Sequence, residues 1–288
     1  MKISICIINN NNNNQLIKQT IGVLQYQYQK PQYIFVCSDG GTFNSEELNV
    51  ISVNKKNLVN ELLGSDSDAF IFIDGDSYPK DKDFIIKYED NFDEYDLVFG
   101  TKEHTDPKTL KHPPMDFLIG NIENLWTKSN FDYTDIREKN NSIELWKDTK
   151  NFNERLDMVL NGQISQCNNF GITKSALKKL LKFNEYHHGR KELFDSKATS
   201  FKDIAFGLNA LYAGVKIGIE NNITIVHKSH ESPNENISNH FIMEYYRKLE
   251  SSTKIKNKVY NSIIILFGTY ILGIITGLVT MAITLSAQ

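Results

Sequence analysis

Over the first hundred residues, short apolar runs alternate with polar stretches that carry a helical period. Ile3–Ile8 is a short apolar run of the kind that forms a strand covered on both faces. After an asparagine-rich loop, Leu16, Thr20, Ile21 and Leu24 recur at helical spacing, and Pro31 closes that region. Tyr33–Cys37 predicts a second buried strand, stopped by the turn signal Ser38-Asp39-Gly40-Gly41. A third strand is predicted over Asn49–Val53, a helix over Lys56–Leu63 and a fourth strand over Ala69–Ile73. Phe84–Asn91 then reads as helix and Leu97–Gly100 as strand. Such alternation predicts βαβ units with right-handed crossovers around a mostly parallel, Rossmann-like sheet flanked by helices, an α/β fold. After Gly100 the pattern weakens, and Thr101–Asn161 is polar and yields no assignment.

The far end of the chain is different. No charged residue occurs from Val259 to Gln288, and Ile263–Leu285 is almost uninterruptedly apolar over 23 residues. As a helix it would reach roughly 34 Å, enough to cross a hydrocarbon core of about 30 Å. A C-terminal transmembrane tail anchor is therefore expected, with a buried core helix as the alternative. Arg247, Lys248, Lys254, Lys256 and Lys258 precede it, which by the positive-inside rule puts the N-terminal part in the cytosol. Gly273 and Gly277 form a GxxxG pair suited to packing two anchors in a homodimer. The N-terminus shows no signal peptide, since the apolar run there is too short. The expected organisation is a domain over 1–230, a polar and basic connector over 231–258 and the membrane anchor over 259–288.

Charge and cysteines narrow the function classes. With 32 basic and 35 acidic residues the 288-residue chain has a formal charge of −3, without the basic excess of a nucleic-acid binder. Cys6, Cys37 and Cys167 are too few and too scattered for a disulfide framework or a CxxC metal site, and Cys6 and Cys37 fall in strand-like runs that make them core residues.

Candidate chemistry gathers at the carboxyl ends of the strands, where ligands sit in open α/β sheets. Asparagines follow Ile8, Asp39 follows Cys37, and Asp74-Gly75-Asp76-Ser77 follows Ile73. Two carboxylates one residue apart after a buried strand suit Mg²⁺ or Mn²⁺, which in turn can bind a diphosphate. A solvated Asp-Gly turn is the bland alternative.

Three segments in order, Ile3–Ile8, Tyr33–Thr42 ending Ser-Asp-Gly-Gly-Thr, and Ala69–Ser77 ending Asp-Gly-Asp-Ser, resemble family 2 glycosyltransferases of the GT-A fold. Downstream, Gln166-Cys167-Asn168-Asn169-Phe170-Gly171-Ile172-Thr173-Lys174-Ser175 is similar to that family's Gly-Gly-Asn-Phe-x-Ile-x-Lys-Ser segment. Phe201-Lys202-Asp203-Ile204-Ala205-Phe206-Gly207 is similar to its Glu-Asp-x-x-x-Gly helix. The resemblance covers roughly residues 3–230.

It implies an inverting, metal-dependent transferase of hexosyl or N-acetylhexosaminyl type. The donor would be a nucleotide-diphosphate sugar, normally UDP-linked, and the acceptor hydroxyl would belong to a glycan, a lipid-linked molecule or a protein. Ile8, Asn10, Asp39, Asp74, Gly75 and Asn169 would line the nucleotide-sugar site, with Asp39 on the base. Asp74 and Asp76 would hold Mn²⁺ or Mg²⁺ together with His227 (or His230), and Asp203 would be the general base. Against the family pattern, Ser38 replaces the first Asp of an Asp-Asp pair, the region of Asn10 lacks the usual aromatic residue, and Lys202 replaces a Glu.

Simpler roles exist for several of these residues. Ser200 to Asp203 fits a capping-box-like helix start, with the helix running to Tyr212 and Gly214 beyond it. His227 and His230 also suit a surface strand end, and Trp126, Tyr133 and Trp146 serve either sugar stacking or the core. Two other functions fit parts of the pattern: a catalytically inactive, membrane-tethered sugar- or nucleotide-binding scaffold, and a haloacid dehalogenase-type phosphatase with Asp74 as nucleophile.

Overall fold

The structure, a computed structural model, describes residues 1–8, 14–38, 43–45, 47–105, 142–194, 202–228 and 242–253. The chain divides into two compact units, Met1–Ile237 and Ser238–Gln288.

The first unit is built on an eight-stranded sheet. In chain order its elements are β1 (Ile3–Ile8), α1 (Asn14–Leu24), β2 (Ile34–Cys37), β3 (Val50–Val53), α2 (Leu58–Gly64), β4 (Ala69–Asp74), β5 (Ser77–Pro79), α3 (Phe84–Phe92) and β6 (Leu97–Thr105). They are followed by α4 (Ser142–Asp148), α5 (Phe152–Leu160), β7 (Asn169–Thr173), α6 (Lys174–His188), α7 (Lys202–Tyr212) and β8 (Ile217–Lys228). The sheet order is β3-β2-β1-β4-β7-β6-β8-β5. β3, β2, β1 and β4 are mutually parallel. β7 runs antiparallel to β4 and β6, β6 is parallel to β8, and β5 closes the far edge antiparallel to β8. The sheet is thus mixed, with a parallel half as the sequence predicts and a second half in which β7 and β5 reverse direction.

Both faces of the central strands are covered, which is why their sequences read as apolar runs rather than alternations. Ile5, Ile7, Ile71 and Ile73 join one buried cluster with Ile17 and Leu24 of α1 and Phe84, Ile85 and Tyr88 of α3. On β4 the intervening Phe72 stacks on Phe170 of β7 at 4.6 Å between ring centroids, and Phe170 lies 4.9 Å from Phe206 of α7. That aromatic column fixes α7 against the sheet.

Past Gly100 the sequence pattern fails for definite reasons. β6 continues to Thr105, but the register with β8 jumps between Phe99 and Thr101, where Ile219 and Thr224 are the successive partners. Gly100 sits at that irregularity. A Cβ there would stand 2.3 Å from Asn169 Nδ2 and 2.4 Å from the Ile223 carbonyl, so the close approach requires glycine. Two short helices, α4 and α5, occupy part of the segment that gave no assignment. Trp146 of α4 is buried, donates Nε1–H to the Ile217 carbonyl at 3.0 Å and carries the Arg155 guanidinium over its ring at 4.8 Å, so it belongs to the core. β5 escapes prediction because three residues ending in proline give no period, although proline is tolerated on the sheet edge that β5 forms.

Of the second unit the structure describes one helix, 242–253, in which Lys248 and Glu244 pair at 2.7 Å one turn apart. Among the described residues no helix is long and apolar enough to cross a membrane; the expected anchor over 259–288 lies outside them. Trp126, Tyr133, Ser200, Asn10, Asp39 and His230 also lie outside the described residues.

Candidate active site

Three strand ends meet flush at one edge of the parallel half. Ile8 closes β1 opposite both Cys37 of β2 and Asp74 of β4. The chain then turns across the end of β1, and Gly75 N–H donates to the Ile8 carbonyl at 2.8 Å. Ile8 and Gly75 therefore set the backbone of the Asp74–Asp76 turn. Beyond it, β5 returns along β8 with Ser77 opposite His227. The α1 hydroxyl of Thr20 donates to the Ser77 carbonyl at 2.8 Å and anchors the short strand. This single antiparallel pairing carries Asp76 to His227, 151 positions later in the chain.

His227 Nε2 lies 3.4 Å from Asp76 Oδ1 and 3.8 Å from Asp74 Oδ2, and one ligand atom from each of the three residues falls within 4.8 Å of the others. An octahedral ion with ligands at about 2.1 Å separates neighbouring ligand atoms by roughly 3 Å and opposed ones by about 4.2 Å. The two distances from His227, 3.4 and 3.8 Å, fall between these limits. Two carboxylate oxygens and an imidazole nitrogen suit Mn²⁺ or Mg²⁺ and leave coordination positions for other oxygens. The electrostatics agree, because burial pushes the Asp74 carboxyl up to about 7, and the Asp76 and Asp203 carboxylates push in the same direction against Lys202 and Lys102. A divalent cation would relieve that excess of negative charge.

Asp203 lies on the first turn of α7. Its Oδ1 accepts the Cys167 backbone N–H at 3.1 Å. Phe206 holds this helix to β7, and Gly207 lets the segment before β7 press against it, since a Cβ at Gly207 would stand 2.6 Å from Ser165 Oγ. The Asp203 charge adds to the upward push on the Asp74 carboxyl.

Asn169 is fully buried and serves the sheet. Nδ2 donates to the Thr101 carbonyl at 2.7 Å and to the Ile223 carbonyl at 3.0 Å, while Oδ1 accepts the Tyr88 hydroxyl at 2.8 Å. These bonds satisfy backbone groups at the register jump between β6 and β8, and so brace the part of β8 that carries His227. Lys102 of β6 and Cys167 are neighbours of the site that the residue patterns did not single out. Lys102 lies where periodicity is lost at the register jump, and Cys167 has the character of an ordinary small apolar residue.

Neither a protein-family model nor a curated protein matches the chain in sequence. Solved structures do match. A crystal structure of S. aureus TarS residues 1–349 in complex with UDP-GlcNAc superimposes with a TM-score of 0.52 at 15% identity, covering 86% of this chain. This chain spans 65% of the length of that one. The mannosyltransferase PcManGT from Pyrobaculum calidifontis, in complex with GDP-Man and Mn²⁺, matches at 11% identity over 82% of this chain and 58% of its own, with a TM-score of 0.46. The TarS match shows the fold: the chain has a GT-A-type α/β fold, with an Asp-x-Asp and histidine cluster at its strand ends.

Proposed function

We propose that the protein is a metal-dependent glycosyltransferase that moves a sugar from a nucleoside-diphosphate sugar, a UDP-sugar in the first instance, to an acceptor hydroxyl with inversion. The observation that carries this reading is the convergence of Asp74, Asp76 and His227 on one point at the strand ends of a GT-A fold. Asp74, Asp76 and His227 would hold Mn²⁺ or Mg²⁺, which when bound would supply positive charge against the leaving diphosphate. Asp203 takes the proton of the acceptor hydroxyl as its oxygen bonds to the anomeric carbon. The bond from that carbon to the diphosphate breaks, and the nucleoside diphosphate leaves. Ile8 and Gly75 would shape the floor of the donor site, and the family resemblance assigns Asp39 to the base and Asn10 to the nucleotide-sugar site. Asn169 supports this site through the sheet. The solved TarS complex with UDP-GlcNAc supports a nucleotide-sugar donor.

We further propose that the chargeless segment 259–288, preceded by basic residues, tethers the catalytic unit to a membrane on its cytosolic side and favours a membrane-presented acceptor. The functional test is Mn²⁺-dependent hydrolysis of UDP-sugars and GDP-mannose by the full chain. Release of the nucleoside diphosphate that disappears in Asp76→Ala supports the transferase. Phosphate release from simple phosphomonoesters, or no turnover and no metal-dependent UDP binding, refutes it.

A further inference from the structure

We propose that Thr20 of α1 is a positioning residue for Asp76, holding the backbone beside it through the Ser77 carbonyl and so keeping Asp76 against His227 for a divalent cation; this rests on the reading of Asp74, Asp76 and His227 as the metal site. Thr20 belongs to the helical stripe of Leu16, Ile21 and Leu24, and its side chain is buried. The Thr20 hydroxyl donates to the Ser77 carbonyl at 2.8 Å, with the Leu16 carbonyl of its own helix farther off at 3.1 Å. The helical ladder already pairs the Leu16 carbonyl with the Thr20 N–H, which leaves the hydroxyl to serve the strand. On the other side of Asp76, the Gly75 N–H donates to the Ile8 carbonyl at 2.8 Å. Asp76 therefore stands between two tied backbone groups, one residue to each side.

The tie joins the two parts of the cluster. Ile17, Ile21 and Leu24 pack in one buried cluster with Ile7 of β1 and Ile73 of β4, so α1 is fixed to the strands that end at Ile8 and Asp74. β5, by contrast, is three residues long and has a strand neighbour on one side only, β8. The spacing of 3.4 Å between Asp76 Oδ1 and His227 Nε2 depends on where that short strand lies along β8. α1 and the turn after it supply further hydrogen bonds to the segment that β5 begins. Gln27 Nε2 donates to the Asp81 carbonyl at 2.9 Å, and the Tyr28 N–H donates to the Lys82 carbonyl at 2.8 Å. Of these three donors, Thr20 is the one that reaches the residue next to Asp76. Metal ligands must be held to within about 0.5 Å, and hydrogen bonds behind the ligand set provide that precision.

Calorimetric titration of Mn²⁺ into the full chain, wild type against Thr20→Val and Thr20→Ser, tests the proposal. Valine keeps the branched shape and loses the donor, whereas serine keeps the donor and loses the methyl group. Mn²⁺ affinity should fall roughly tenfold in Thr20→Val, the size expected for losing a hydrogen bond behind a metal ligand, and should stay at the wild-type value in Thr20→Ser. Thr20→Ala should lose affinity as valine does, and keeps the test available if the valine variant fails to fold. Ile71→Val, in the same buried cluster but on β4 rather than beside Asp76, separates positioning from a general loosening of the core, because it should leave Mn²⁺ affinity as it was. With wild-type binding in hand, unchanged affinity in the valine and alanine variants, or an equal loss in Thr20→Ser or Ile71→Val, overturns the role of Thr20 alone. A wild-type chain that binds no Mn²⁺ overturns the metal-site reading along with it.

Discussion

The two halves of the sheet contribute to the site by different means. In the parallel half, β3-β2-β1-β4, consecutive strands end flush and the chemistry follows from where an apolar run stops: Asp74 and Asp76 come directly after Ile73. In the other half, the positions of His227 beside Asp76 and of Asp203 at the start of α7 depend on irregularities. These are the register jump between β6 and β8 filled by Asn169, the glycines at 100 and 207, and a three-residue strand that brings Asp76 and His227 together. One half places its candidate ligands by regularity, the other by exceptions to it.

The largest effect should come from removing a candidate metal ligand where both halves meet. Asp76→Ala should lower Mn²⁺-dependent UDP-sugar hydrolysis by about two to three orders of magnitude, equivalent to roughly 3–4 kcal/mol of transition-state stabilisation, read as kcat/KM. Next in size is the brace in the second half. Asn169→Ala leaves the Thr101 and Ile223 carbonyls and the Tyr88 hydroxyl without their buried partner. It should cost about 3 kcal/mol, measured as a lowered urea midpoint at constant m-value, and should weaken Mn²⁺ binding as His227 shifts.

A smaller effect comes from pH. The Asp74 carboxyl is raised from 3.8 to about 7, so a proton competes with the metal below neutrality. Mn²⁺ affinity should weaken by up to about tenfold per pH unit below 7, which calorimetry at several pH values would read. In the metal-free protein the sign for stability is the reverse. The folded state holds a proton that the unfolded chain has released between pH 3.8 and about 7, so stability falls as pH rises through that window. The smallest change belongs to the regular half. Ile71→Val, at a fully buried position of β4, should cost about 1 kcal/mol in thermal unfolding and leave Mn²⁺ affinity as it was.

The contrast also explains what the sequence could reveal. β1, β2 and β4 are legible because burial on both faces makes them apolar throughout, and their ends mark the Asp-x-Asp turn. His227 is legible as a residue near a strand end, but its partners are not, because β5 has no periodic pattern and the pairing spans half the chain. Asn169 stands out as part of a motif, while its work in the sheet depends on carbonyls from two other strands. Cys167 resembles any small buried residue until Asp203 is seen against it.

The proposed function requires Asp74, Asp76 and His227 together to hold a cation that would receive the donor's diphosphate. Calorimetric titration of UDP into the full chain with Mn²⁺ and then with EDTA tests it most directly, with Asp76→Ala and His227→Ala alongside. Binding that requires Mn²⁺ and weakens at least tenfold in both variants is the predicted result. UDP bound equally well in EDTA, or Mn²⁺-dependent binding untouched by either substitution, would contradict it.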